Sequence, residues 1–145
     1  MKVAFLKGTG ILDRLIQFWT FSKYSHCELI FSDGSSFGTS LTSPFKTQFT
    51  YKMYFHQHWD IVEVDVPPEK ELLIKAFCWT QVDKKYDWKA IFFSMILPFR
   101  KEDPSKWICS EICVAAFHVA DYFGGIKACT VNPGKFAKLI KSIKK

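Results

Sequence analysis

Alternation and periodicity divide the chain into short elements of two kinds. Lys2 to Leu6 reads as a strand followed by a Gly8-Thr9-Gly10 turn. Ile11 to Phe18 then sets Ile11, Leu15 and Phe18 on one side and Asp13 and Arg14 on the other, the pattern of a short amphipathic helix. Tyr24 to Phe31 and Ser36 to Leu41 flank Ser32-Asp33-Gly34-Ser35, which predicts a β-hairpin. Ser43-Pro44 ends its second strand, and Phe45 to His58 is aromatic-rich without a clean period. Trp59 to Val66 alternates apolar and acidic residues, the mark of a half-buried strand stopped by Pro67-Pro68. Glu69 to Val82 predicts a helix with Pro68 near its first turn and Leu72, Leu73, Ala76, Phe77 and Thr80 on its inner side. A third, apolar helix opens at Tyr86-Asp87-Trp88-Lys89 and is closed by Pro98, and Arg100 to Lys106 is a charged connector. Ser110 to about Phe123 predicts a fourth helix stopped by Gly124-Gly125. No repeat or interdomain linker interrupts the pattern. The expectation is an α+β fold, a small antiparallel sheet packed with helices, in one domain over residues 1–145.

Composition narrows the classes. A chain of 145 residues that is 48% hydrophobic is long enough for one sizeable core and short for two domains. The apolar run Ala90 to Leu97 falls well short of the ~20 residues that cross a bilayer. Met1 to Gly8 carries no signal-peptide pattern, so the expected location is cytoplasmic. The five cysteines, at 27, 78, 109, 113 and 129, include no C-x-x-C pair and fit reduced thiols. Cys109 and Cys113 with His118 or His26 lack the paired spacing of a structural zinc site, so neither metal nor cofactor is expected. The net charge is +6, with much of the excess in the tail from Lys135 to Lys145. There Phe136, Leu139, Ile140 and Ile143 oppose the lysines, the pattern of a terminal helix docked on the core; its basic face also suits weak contact with an anionic membrane surface. No basic stripe interleaved with aromatics suggests specific nucleic-acid binding.

Chemistry concentrates in two segments. Tyr24-Ser25-His26-Cys27-Glu28-Leu29-Ile30-Phe31 puts a histidine on a strand, and Trp107-Ile108-Cys109-Ser110-Glu111-Ile112-Cys113 brings a cysteine to the first turn of a helix. Unpaired N–H groups and the helix dipole favour a thiolate there, and a neighbouring imidazole completes the activation of a nucleophile. Cys109 is therefore the candidate nucleophile and His26 the candidate base. Side chains two apart on a strand share a face, which makes Glu28 a candidate partner for the imidazole. Across the hairpin, Thr39, or Ser40 after a one-residue slip, competes for that role. Cys113 reads as a packing residue, and His56, His58 and His118 as structural or surface residues.

These pieces resemble the circularly permuted NlpC/P60 (papain-like) superfamily, in particular its small YiiX-like members and phage-encoded relatives. The matching segments are Thr20 to Phe31 with Ser32-Asp33-Gly34, Trp59-Asp60-Ile61-Val62, Tyr86-Asp87-Trp88 and Trp107-Ile108-Cys109-Ser110-Glu111, in that order over most of the chain. The resemblance implies a permuted papain-like fold with the histidine strand ahead of the cysteine helix, Cys109 as nucleophile and His26 as general base. Lecithin:retinol acyltransferase and its phospholipase relatives share the permuted core and carry a polar third residue on the strand after the Asp-Gly turn. Aligned on Asp33-Gly34, that position is Gly38, which has no side chain. Glu28, Thr39 or Ser40 replaces the missing group, or the site is weakened.

Two functions follow as expectations. One is a cysteine hydrolase of the amidase, peptidase or acyl-ester type, acting through Cys109, His26 and a polar third residue on a small-molecule, peptide or acyl substrate. The other is a catalytically weakened papain-like scaffold that binds a phage or host component.

Overall fold

The face on which each strand residue lands decides the layering. The computed structural model of the protein describes residues 1–39, 46–86 and 106–144. Strands β1 (Lys2–Leu6), β2 (His26–Ile30), β3 (Ser36–Thr39), β4 (Thr47–Thr50) and β5 (Trp59–Glu63) form one sheet in the order β4-β3-β2-β1-β5. Every neighbouring pair is antiparallel. The described residues also hold four α-helices, α1 (Ile11–Thr20), α2 (Pro68–Thr80), α3 (Cys109–His118) and α4 (Pro133–Lys141). The two-residue strands β6 (Lys85–Tyr86) and β7 (Lys106–Trp107) pair in parallel. The architecture is α+β.

Register places Val3 opposite Leu29, Phe5 opposite Cys27 and Leu29 opposite Phe37, so these five side chains share one face of the sheet. All five are fully buried, in one core with Ile112, Cys113 and Phe117 of α3, Phe136 and Ile140 of α4, and Ile74 and Cys78 of α2. Burying each large apolar side chain of this kind contributes about 2 kcal/mol. The opposite face carries His26, Glu28 and Ser36. Among the described residues no helix is long and apolar enough to cross a membrane.

The N-terminal strand, the hairpin, the strand from Trp59 and the helix after Pro67 lie where the pattern predicts them. The hairpin register differs by one residue. Leu29 pairs with Phe37 and Ile30 with Ser36, and continuing that register sets Gly38, not Thr39, across from Glu28. The turn accounts for it: Phe31 and Ser35 close the loop (Phe31 N–H to Ser35 O, 2.8 Å), with Gly34 at φ 83° and Asp33 accepting from the Ser35 N–H and hydroxyl.

Three further differences have physical causes. The aperiodic segment contains a strand, β4, whose four residues are too few to show alternation. Helix α2 buries Ile74 and Cys78, whereas Leu72 and Leu73 are exposed, Leu72 by 68%. Its charged residues turn it: Glu71 accepts from the Ser32 N–H (2.6 Å) and hydroxyl (2.7 Å), and Lys75 pairs with Asp33, so that face lies on the hairpin turn. Helix α3 ends at His118 instead of about Phe123, because the chain folds back to set Tyr122 and Phe123 against Phe117 (centroids 5.6 and 5.4 Å). The apolar helix predicted to end at Pro98 lies outside the described residues beyond Tyr86, as does Ser40. In the tail, Asn132 caps α4 by accepting the Lys135 N–H (2.8 Å), and Phe136, Ala137 and Ile140 dock its apolar side on the core.

Candidate active site

Helix α3 begins at the end of the sheet where β2 begins, and this brings the two sequence segments together. Cys109 is the first residue of α3, after the extended Ile108 at the N-cap. The Ile108 N–H donates to the Glu111 carboxylate (3.3 Å) and the Ser110 hydroxyl to Val131 O (2.6 Å), which hold the first turn in place. Both Cys109 and His26 are buried, exposed by 2% and 1%.

The imidazole of His26 is held from one side. Its Nε2 lies 3.1 Å from Glu28 Oε1, with both side chains on the same face of β2. Its Nδ1 is buried with no hydrogen-bond partner among the described residues. Cys109 lies near enough to act on the ring's charge, and catalytic hydrogen bonds of unliganded sites commonly form only around a substrate. Burial opposes a charge on the ring, but Cys109 and then Glu28 outweigh it and carry the His26 pKa up to about 10.

Cys109 shifts the other way. Hydrogen bonding from the Cys27 thiol leads in holding its pKa well below the ordinary thiol range against the effect of burial, and His26 and the Cys27 backbone N–H add to it. Cys27 itself is pushed up, first by burial and then by Cys109 and Cys113, so it stays a thiol and acts as a donor. Cys78 is also pushed up by burial. A low thiol beside a high imidazole is the signature of a thiolate-imidazolium pair.

Glu28 is the best-supported member of the cluster. Burial alone would raise its pKa, yet His26 and Lys52 bring it down to about 2. Lys52 Nζ reaches Oε1 (2.6 Å) and the Tyr54 hydroxyl donates to Oε2 (2.7 Å). Trp59 closes over the assembly, with its ring edge-on to His26 (6.2 Å) and to Tyr54 (5.0 Å) and Lys52 above it (5.0 Å). The glycine at 38 belongs to the same design: a Cβ there would lie 2.7 Å from Glu28 Cγ. The carboxylate side chain occupies the space that a residue at 38 would fill.

The structure thus brings Cys109, His26 and Glu28 together and does not bring Thr39 to them. Thr39 is buried on β3 with its hydroxyl unpaired among the described residues. Cys113 packs in the core, and His56 and His58 are exposed. The described residues hold no group of three or more His, Cys, Asp or Glu able to ligate a metal. Lys52, Tyr54 and Cys27 were not singled out for the site by sequence reasoning. Tyr54 and Lys52 sit in the aperiodic segment, where no alternation or motif marks them. Set against models of known protein families and against curated protein sequences, the chain matches none of them.

Proposed function

We propose that the protein is a cysteine hydrolase or acyl-transfer enzyme of the permuted NlpC/P60 (papain-like) type. The observation that carries this reading is Cys109 at the start of α3, its thiol held low beside a buried His26 that Glu28 pairs from behind. In this mechanism Cys109 Sγ attacks the carbonyl carbon of an ester or amide, its proton already resting on His26. The N–H groups of the first turn of α3 have no intrahelical acceptor and stabilise the oxyanion. The imidazolium then protonates the departing alcohol or amine, leaving a thioester on Cys109. Water, deprotonated by His26, or an acceptor nucleophile releases the acyl group and regenerates the pair. Glu28 keeps the ring oriented and stabilises its charge, the part a third polar residue plays in a triad.

Brief alkylation with iodoacetamide, mapped by mass spectrometry, tests this. Cys109 is expected to label ahead of Cys27, Cys78, Cys113 and Cys129, with a pH profile displaced to the acid side of an ordinary thiol's, because its pKa is held well below the ordinary thiol value. His26→Ala should restore an ordinary, alkaline thiol profile. A Cys109→Ala enzyme should lose hydrolysis of p-nitrophenyl acyl esters and anilide substrates alike. The 2% exposure of Cys109 favours a second reading, a papain-like scaffold retained for binding. That reading predicts a Cys109 that resists labelling in the folded chain and labels only on unfolding.

A further inference from the structure

Helix α1 is built inside out. Its half-buried side is mostly polar, made by Asp13, Ile16, Gln17 and Thr20: Asp13 accepts the Gly10 N–H (3.2 Å), and Gln17 Nε2 donates to Gly8 O (2.9 Å) and Lys23 O (3.2 Å). None of its residues is buried, and Ile11, Leu12, Leu15, Phe18 and Trp19 stand exposed along one side, Ile11 by 82% and Phe18 by 73%. Phe21 continues this side at the helix end, 92% exposed, on a backbone at φ 47°, a left-handed conformation unusual for a bulky residue. That conformation closes the helix, with the Phe21 N–H bonded to Phe18 O (3.3 Å) and the Ser22 N–H to Gln17 O (3.0 Å), and it leaves the ring facing outward beside Phe18. The segment 51–58, tied to the root of α1 by the Lys7 N–H to His58 O bond (2.7 Å), adds exposed Met53 and Phe55.

Charge selects the occupant. Arg14 lies on the helix and Lys7 and Lys23 lie just before and just after it, and a Cβ on Gly134 would lie 2.4 Å from Ser22 Oγ, which sets the first turn of α4, with Lys135 donating to Thr130 O (3.2 Å), beside the helix end. Asp13 and Asp60 are carboxylates near these cations. Asp13 is used within the helix, and Asp60 binds Lys7 (2.6 Å), Lys23 (2.8 Å) and the Tyr24 hydroxyl (2.7 Å). Aliphatic and aromatic side chains on one face with a rim of net positive charge is the composition of a helix that lies in the interface of an anionic membrane. We propose that α1, with the margin of segment 51–58, seats the protein on an anionic phospholipid surface. The seat lies at the end of the sheet where β2 begins with His26, so a seated protein holds the candidate site beside the lipid.

Vesicle flotation of the full chain tests the proposal without any substrate. Binding is expected to vesicles of phosphatidylcholine containing phosphatidylglycerol, weaker on phosphatidylcholine alone, and reduced by salt. Phe18→Ser with Phe21→Ser, both at exposed positions, should cut partitioning by ~10-fold or more, and Arg14→Glu should weaken binding to the anionic vesicles only. Cys109→Ala should float as the native chain does, so failure of the catalytic reading leaves this result unchanged. Absence of flotation with either vesicle overturns the proposal. So does a concentration-dependent dimer that the double variant dissociates, which would make a second copy the occupant. A lower Tm in the double variant without flotation overturns it as well, since the face would then be packed within the chain.

Discussion

Replacing Glu28 by Gln removes one charge and almost no volume, so its consequences can be worked from the contacts of that carboxylate. Glu28 is buried and accepts from His26, Lys52 and Tyr54, and its pKa is held at about 2 against an ordinary value of 4.5. The gap between those values corresponds to about 3 kcal/mol favouring the ionised form in the folded protein. The His26–Glu28 contact also contributes to the raised pKa of His26, so its energy enters once. A group depressed on folding contributes its full stability above its unfolded pKa and loses it as pH falls through the folded pKa. The native protein should therefore exceed Glu28→Gln by about 3 kcal/mol near pH 6, with the difference shrinking from about pH 4.5 toward pH 2. Urea unfolding of both proteins across that range measures it. The same variant should slow Cys109 alkylation near neutrality by ~10-fold, because an imidazolium without its carboxylate stabilises the thiolate less. A stability difference that stays constant or grows on acidification, or an unchanged alkylation profile, would refute the assignment of Glu28 as the partner of His26.

Two other substitutions probe the surroundings of the site. Gly38→Ala puts a Cβ 2.7 Å from Glu28 Cγ and should force the carboxylate away from His26, costing about 1–3 kcal/mol in urea unfolding and slowing Cys109 labelling; an alanine variant with native labelling would show that the glycine is incidental. Ile74→Ala opens a cavity on the buried side of α2 and should cost about 2–5 kcal/mol, while Leu72→Ala on the exposed side should cost little, a contrast that urea midpoints would reverse if the helix faced the other way.

Most of the fold was legible where a local rule is strong. The hairpin is carried by Asp33-Gly34 between two apolar runs, and the start of α2 by Pro68, each a restriction on the backbone that needs no tertiary partner. Orientation was less legible than existence. Counting apolar residues turned α2 toward Leu72 and Leu73, because the charged residues that fix its face, Glu71 and Lys75, find their partners on a turn some 40 positions earlier in the chain (71 − 32 = 39; 75 − 33 = 42). For α1, periodicity separates Ile11, Leu15 and Phe18 from Asp13 but records only that a helix has two faces. Which face is covered depends on what lies beside it: here the side of Asp13, Ile16, Gln17 and Thr20 is half-buried, while Ile11, Leu15, Phe18 and also Arg14 are exposed.

The site was legible in its two ends and ambiguous in its third member, for a reason that lies in the register. The candidate nucleophile and the candidate base announce themselves locally, one by its place at a helix start and the other by its place on a strand. The third group is defined by what stands beside the histidine ring, and a slip of one residue exchanges every candidate on the neighbouring strand. With Gly38 across from Glu28, the empty position and the carboxylate become two aspects of one arrangement: a side chain on β2 reaches over a glycine on β3 to the place that a residue on β3 would otherwise occupy. Either strand is able to supply the group, since cross-strand neighbours share the same space. It follows that vacating one position should make room at the other. Glu28→Ala combined with Gly38→Asn ought to recover more of the Cys109 labelling rate than Glu28→Ala alone, and equal rates for the two proteins would show that the space beside His26 accepts a group only from β2.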